Sequence, residues 1–182
     1  ITVDAANQHY KSEGNCLIDI ALKTVVKGCS NSTIPTTDDV EKIGDGAFVF
    51  LEGLESIEIP ANIKSIGGAA FGLCPSLAEV TLNEGLESIG QAAFSTSALT
   101  EITIPSTVES VELGAFEACN SLESITVASG NQDFKVSGNC LIDTERKMII
   151  AGLNNSVIPA DGSVKIIGDY AFSGMQELSN ID

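Results

Sequence analysis

The chain has no tryptophan, a single histidine and two methionines, and its 9 Lys and Arg face 25 Asp and Glu, a formal charge of −16 over 182 residues. Scarce positive charge removes nucleic acid and anionic membrane surfaces from the expected partners, since both are recognised through a basic footprint. Apolar runs are also short. None approaches the roughly 18 residues of a spanning helix, so no membrane insertion is expected. Neither a basic start nor an apolar leader precedes Ile1-Thr2-Val3, and Ile181-Asp182 stop partway through a repeating unit. A trimmed part of a longer array is expected.

Catalytic and metal-binding constellations are missing as well. No Cys-x-x-Cys pair and no His-Glu-x-x-His spacing occurs, so neither a metal nor any other cofactor is expected. His9 stands in a polar loop, too isolated to serve a Cys-His nucleophile pair. Gly44-Asp45-Gly46 lacks the lysine of a phosphate loop, and Asp38-Asp39 has no apolar pocket to hold the pKa values of its carboxyls apart. The chain is expected not to be an enzyme.

What it has instead is repetition. Residues Ile66–Ser88, IGGAAFGLCPSLAEVTLNEGLES, and Ile89–Ser110, IGQAAFSTSALTEITIPSTVES, follow the same order of residue types. Phe48, Phe71, Phe94, Phe116 and Phe172 recur at spacings of 23, 23, 22 and 56 residues. Ile43, Ile66, Ile89 and Val111 lie five residues before the first four, and Leu54, Leu77, Leu99 and Leu122 five or six after. Alternation then follows at Ile57/Ile59, Val80/Leu82, Ile102/Ile104 and Ile125/Val127, which marks short strands. Pro60, Asn83 and Pro105 close three of them. With no core of its own, each unit must bury its apolar side against the next, so the strands stack in parallel about 4.8 Å apart. Apolar spacing of three or four between strand and Phe fits a short 3₁₀ or helical turn. No continuous asparagine ladder can form in the turns after the strands, which are expected to be satisfied by backbone and water. A hydrophobic content of 43% suits one elongated domain over residues 1–182.

A longer period lies over the short one. Ile1-Thr2-Val3 matches Ile125-Thr126-Val127 at an offset of 124, and Gly14-Asn15-Cys16-Leu17-Ile18-Asp19 matches Gly138-Asn139-Cys140-Leu141-Ile142-Asp143. Each copy carries an insert, at about 7–31 and 131–155, in which Cys-Leu-Ile-Asp and Val25-Val26-Lys27-Gly28 or Ile149-Ile150-Ala151-Gly152 read as a β-hairpin. Cys74 and Cys119 occupy equivalent places two coils apart, roughly 10 Å, beyond disulfide reach. Both are expected as small buried side chains. A Cys16–Cys29 bridge across the first hairpin is the weaker alternative to free thiols.

The pattern Leu-x-x-Ile-x-Ile-Pro-x-x-Val-x-x-Ile-Gly-x-x-Ala-Phe, carried here by Leu99, Ile102, Ile104, Pro105, Val108, Val111, Ala115 and Phe116, resembles the BspA-type leucine-rich repeats. Glu112 replaces the usual Gly. The Asn-x-x-Phe/Tyr inserts at Asn131/Phe134 and Asn7/Tyr10 are similar to the long repeats of that family. The resemblance implies an α/β repeat of β-rich character: a right-handed leucine-rich solenoid with parallel strands on its concave face, short 3₁₀ or helical turns on its convex side, and two protruding β-hairpin inserts. It also implies a secreted or cell-surface microbial protein with roles in adhesion and binding of host or microbial macromolecules. It brings no catalytic residues.

Residues between the buried strand positions point outward on the concave face, the usual binding surface of a solenoid. Glu58, Glu79, Thr81, Glu101, Thr103, Ser124 and Thr126 form the candidate binding face, for an extracellular protein or glycoprotein. No aromatic falls in these columns, which disfavours sugar stacking and aromatic interface anchors. The alternative function is a structural spacer that presents other domains at the cell surface. A monomer is expected, with lateral association through the strand ends at Ile1 and Asp182 as the alternative.

Overall fold

The computed structural model describes residues 1–176 and 178. The chain's end at Ile181-Asp182, and the match of the two long copies there, lie outside the described residues. The chain opens with an insert of three strands, β1 (Tyr10–Glu13), β2 (Cys16–Asp19) and β3 (Thr24–Lys27). Each coil then adds a two-residue flank strand and a four-residue concave strand. These are β4 (Lys42–Ile43) and β5 (Ser56–Ile59), β6 (Ser65–Ile66) and β7 (Glu79–Leu82), β8 (Ser88–Ile89) and β9 (Glu101–Ile104), and β10 (Ser110–Val111) and β11 (Ser124–Val127). The second insert is β12 (Phe134–Ser137), β13 (Cys140–Asp143) and β14 (Met148–Gly152), and β15 (Ile166–Ile167) follows it. The result is a leucine-rich solenoid of about four turns.

Its core is a line of stacked columns, as a repeat with one apolar side requires. Phe48, Phe71, Phe94 and Phe116 stack with ring centroids 4.9, 5.4 and 5.9 Å apart and planes within 18° of parallel. Leu54, Leu77, Leu99 and Leu122 form a second buried column. The thiols of Cys74 and Cys119 are buried too, and each donates to the carbonyl of a Phe in the preceding coil, Phe48 O and Phe94 O, at 3.1 Å. All five cysteines are free, Cys16 and Cys29 included.

The expected 3₁₀ or helical convex segments are not there: among the described residues these segments are successive turns with no helix. The reason lies in the backbone. Gly46 and Phe50, Ala69 and Leu73, Ala92 and Thr96, and Gly114 and Ala118 all have φ between 50° and 71°. A left-handed residue every fourth position interrupts any helical run. The freed N–H groups donate across to the next coil, Phe48 to Ala70 O at 2.7 Å, Phe71 to Ala93 O at 2.8 Å, Leu73 to Ser95 O at 2.8 Å.

Each insert has one strand more than a hairpin. β1, β2 and β3 pair antiparallel and β3 then pairs parallel with β4, so the flank sheet runs β1-β2-β3-β4-β6-β8-β10. The second insert repeats this as β12-β13-β14-β15. Both first turns use two left-handed residues, Gly14-Asn15 (56°, 62°) and Gly138-Asn139 (58°, 57°), the mirror-type hairpin turn. Glycine is required at its first place: a Cβ on Gly138 would sit 1.9 Å from Val157 O.

The concave strands do not form one sheet. β5 pairs with β7 and β9 with β11, but no ladder joins β7 to β9, although they remain neighbours within 8 Å. Two local causes coincide. Asn83 donates to Ile59 O at 3.2 Å and Ala128 to Ile104 O at 2.8 Å, whereas Pro105, in the same place on β9, has no N–H to give to Leu82. The turn before β9 is also one residue short, with Phe94 five residues from Leu99 where Phe71 is six from Leu77. Glu101 consequently lacks the bond that Glu79 makes to Glu55 O and Ser124 to Thr100 O.

Candidate functional site

The pleat sends alternate side chains to the concave surface. Register then aligns them into two columns: Ser56 opposite Glu79 with Glu101 opposite Ser124, and Glu58 opposite Thr81 with Thr103 opposite Thr126. All are exposed except Ser124, which is half-buried. Glu79, Thr81, Glu101 and Thr103 line adjoining shallow clefts, two of about 220 Å³ each, along the unpaired β7–β9 seam. The groove continues past Glu55 and Ser56. Thr103 and Thr126 share a hydroxyl hydrogen bond of 2.8 Å, and Glu58 Oε1 accepts from Asn83 Nδ2 at 3.0 Å. Glu58 thus faces a different cleft, beside Asn62 and Asp38. The structure brings four of the seven expected residues to one groove and sets Glu58, Ser124 and Thr126 at its borders.

Electrostatics there are one-sided. No Lys or Arg occurs between Lys64 and Lys135, so the coils carrying β7, β9 and β11 present acids alone. Described ion pairs cluster instead around the inserts, Lys11 with Glu13 and Asp39, Lys23 with Glu41, and Arg146 with Asp143. The Lys11 ammonium holds the Asp39 carboxyl below its ordinary range. Glu84, on the turn after β7, is held down by hydrogen bonds from the Ser106 N–H and hydroxyl. Burial raises the Cys16, Cys74, Cys119 and Cys140 thiols, the opposite of what a nucleophile needs. Among the described residues no group of three or more His, Cys, Asp or Glu could hold a metal ion.

Two features escaped the sequence. Asparagine amides satisfy some of the turns left to backbone and water: Asn62 Nδ2 donates to Pro35 O at 3.0 Å and Val40 O at 2.7 Å, and Asn131 Nδ2 to Pro105 O at 2.8 Å and Val108 O at 3.0 Å. A polar cleft also opens between Asn120–Glu123 and Leu153–Asn155, where the second insert rejoins the stack. Its only sequence signal is a shortened spacing, six residues from Gly152 to Ile158 where Phe48 to Ile59 takes eleven.

Stacked Phe and Leu columns, parallel concave strands and a polar outward face define a leucine-rich repeat protein. The match to the BspA type leucine-rich repeat region, six copies over residues 23–141 and 150–182, is more specific. The chain belongs to that family. No curated protein matches it. Among solved structures it is similar to the pneumococcal vaccine antigen PcpA, with 30% identity and a TM-score of 0.67 over 74% of this chain and 34% of that one. A leucine-rich repeat protein of Bacteroides capillosus is 30% identical, TM-score 0.60, over 67% of this chain and 100% of that one. One from Bacteroides ovatus is 28% identical, TM-score 0.59, over 97% and 44%. The chain spans about a third of the pneumococcal antigen's length.

Proposed function

We propose that the chain is a non-catalytic binding module of a secreted or cell-surface bacterial protein, engaging host or microbial macromolecules in adhesion or recognition through its concave face. The observation that carries this reading is the set of outward residues, Ser56 and Glu58 beside Glu79 and Thr81, and Glu101 and Thr103 beside Ser124 and Thr126, aligned by register within each strand pair and meeting along the groove between the pairs. None of their carboxylates forms an ion pair among the described residues. Likeness to a pneumococcal vaccine antigen supports a place at the bacterial surface. The ligand is an extracellular protein or glycoprotein, met by a monomer and without a cofactor.

A screen against host matrix glycoproteins tests this, with a Thr81→Arg/Thr103→Arg/Thr126→Arg variant confirmed as folded by circular dichroism. Binding lost in the variant is the expected result. Retained binding would move recognition to the inserts, and no binding at all would leave the spacer role.

A further inference from the structure

β11 has a strand partner on one side only. Its register with β9 turns the backbone groups of Ser124 and Thr126 toward β9 and those of Ile125 and Val127 the other way, toward the second insert. On β9 the groups facing onward are used: Thr100 O accepts from the Glu123 and Ser124 N–H groups, and Ile104 O from Ala128 N–H at 2.8 Å. The matching places on β11 are Glu123 and Val127, and among the described residues no N–H of the following coil reaches their carbonyls. That coil is too short to answer. Gly152 N–H donates to Ala171 O as Phe48 N–H does to Ala70 O, yet Ile158 follows Gly152 by six residues where Ile59 follows Phe48 by eleven. Asn62 donates to Pro35 O as Asn131 does to Pro105 O, so Pro35, and Pro159 at the offset of 124, stand where Ala128 stands after β11. Pro159 has no N–H to give to Val127 O. A cleft of about 500 Å³ opens instead, between Asn120–Glu123 at the entry to β11 and Leu153–Asn155. β12 and β13 come within 8 Å of β11 but make no ladder with it.

We propose that the open edge of β11 takes up an extended basic peptide as an added strand. The edge selects a backbone: the Ile125 and Val127 N–H groups and the Glu123, Ile125 and Val127 carbonyls face outward in the alternation that a strand about 4.8 Å away pairs with. Unused groups of this kind are a ready template for strand addition. Charge selects the side chains. Glu123 lines the cleft, Glu101 lies on the neighbouring strand, and no Lys or Arg occurs between Lys64 and Lys135. Lys or Arg at alternate positions of the added strand projects beside Ser124 and Thr126 onto this acidic surface. The positions between them point inward as Ile125 does. Leu122 and Leu153, 4% and 2% exposed, already close that side, so compact residues such as Val suit it. A second copy of this chain is disfavoured, because its own open edge, β5, brings Glu55 and Glu58 against Glu101 and Glu123. The site goes beyond the concave-face reading: it is built from backbone, outside the groove between β7 and β9.

The probe is a fluorescein-labelled Lys-Val-Lys-Val-Lys-Val peptide, followed by anisotropy at low ionic strength. Binding is expected, and Glu in place of Lys weakens it tenfold or more. N-methylation of one alternate set of residues does the same, while methylation of the other set, whose N–H groups face away from β11, is tolerated. Val127→Pro removes a donor from the open edge and leaves the β9 ladder intact, a place where an edge strand admits proline, and is expected to weaken the peptide tenfold or more. Should that variant not fold, Glu123→Lys, at an exposed position, is expected to weaken it likewise. Glycoprotein binding on the concave face is untouched by Val127→Pro, so failure of that reading and failure of this one are distinguishable. Peptide binding indifferent to N-methylation would be charge attraction alone and overturns the proposal. So does absence of binding, or a concentration-dependent dimer in sedimentation that Val127→Pro dissolves, which would give the edge to a second copy.

Discussion

Asn131 serves two turns with one side chain. Its amide nitrogen donates to Pro105 O and Val108 O of the coil before, and its oxygen accepts from Asp133 N–H at 2.9 Å and Phe134 N–H at 2.8 Å. Truncation leaves half-buried carbonyls unpaired, which costs more than the net worth of the bonds themselves. Asn131→Ala is expected to lower stability by about 3 kcal/mol in urea unfolding. A loss under about 0.5 kcal/mol, the usual size for a surface change, would mean that water replaces the amide freely. The sequence marks this residue as the start of the Asn-x-x-Phe insert motif. It does not show the acceptors, because they belong to another coil.

At the level of elements, the residue that ends a strand helps decide how the concave face is joined. β9 ends at Pro105 and pairs only with the strand that follows it, whereas β5, which ends at Pro60, has no concave strand before it to pair with, among the described residues. Both prolines are visible in the sequence as strand terminators, yet the break between β7 and β9 also needs the missing residue in the Ser97-Ala98 turn. Pro105→Ala together with one Ser inserted between Ser97 and Ala98 is expected to close the ladder. Amide hydrogen exchange at Val80 and Thr103, whose N–H groups face the seam, then slows by about tenfold or more, as sheet bonding protects backbone N–H groups. Unchanged exchange would place the cause of the seam elsewhere. The convex side carries a parallel lesson. Apolar spacing of three or four suits a helix and a tight turn alike, and left-handed residues such as Phe50 and Leu73 decide for turns without glycine to announce them.

Over the whole molecule, charge is distributed unevenly along the solenoid axis. The nine basic residues all lie at or before Lys64 or from Lys135 onward, which leaves the central coils acidic throughout. Across the seam, where β7 and β9 remain neighbours within 8 Å, like charges such as Glu79 and Glu101 lie close enough to repel through water. Raising NaCl from about 10 mM to about 0.15 M shortens the screening length from about 30 Å to about 8 Å. The melting temperature is expected to rise by about 2–4 °C, the shift that roughly 1 kcal/mol produces in a chain of this size. A flat or falling melting temperature in scanning calorimetry would mean that the ion pairs around the inserts, weakened by the same salt, outweigh the repulsion.

By itself the sequence determined the repeat period, the Phe and Leu columns, the concave strands, the inserts and the family. Each of these is a consequence of burial recurring at a fixed interval, and recurrence can be counted along the chain. It also placed Glu79, Thr81, Glu101 and Thr103 on one surface, since a strand's alternation assigns faces without reference to its neighbours. Only the tertiary structure decided that the concave sheet is split, that the convex segments are turns, that asparagines reach back to the preceding coil, and that a cleft opens at Asn120 and Asn155. Those features depend on which backbone groups of one coil meet partners on the next. Such partners lie some 22 to 56 residues away, beyond any local pattern of residue types.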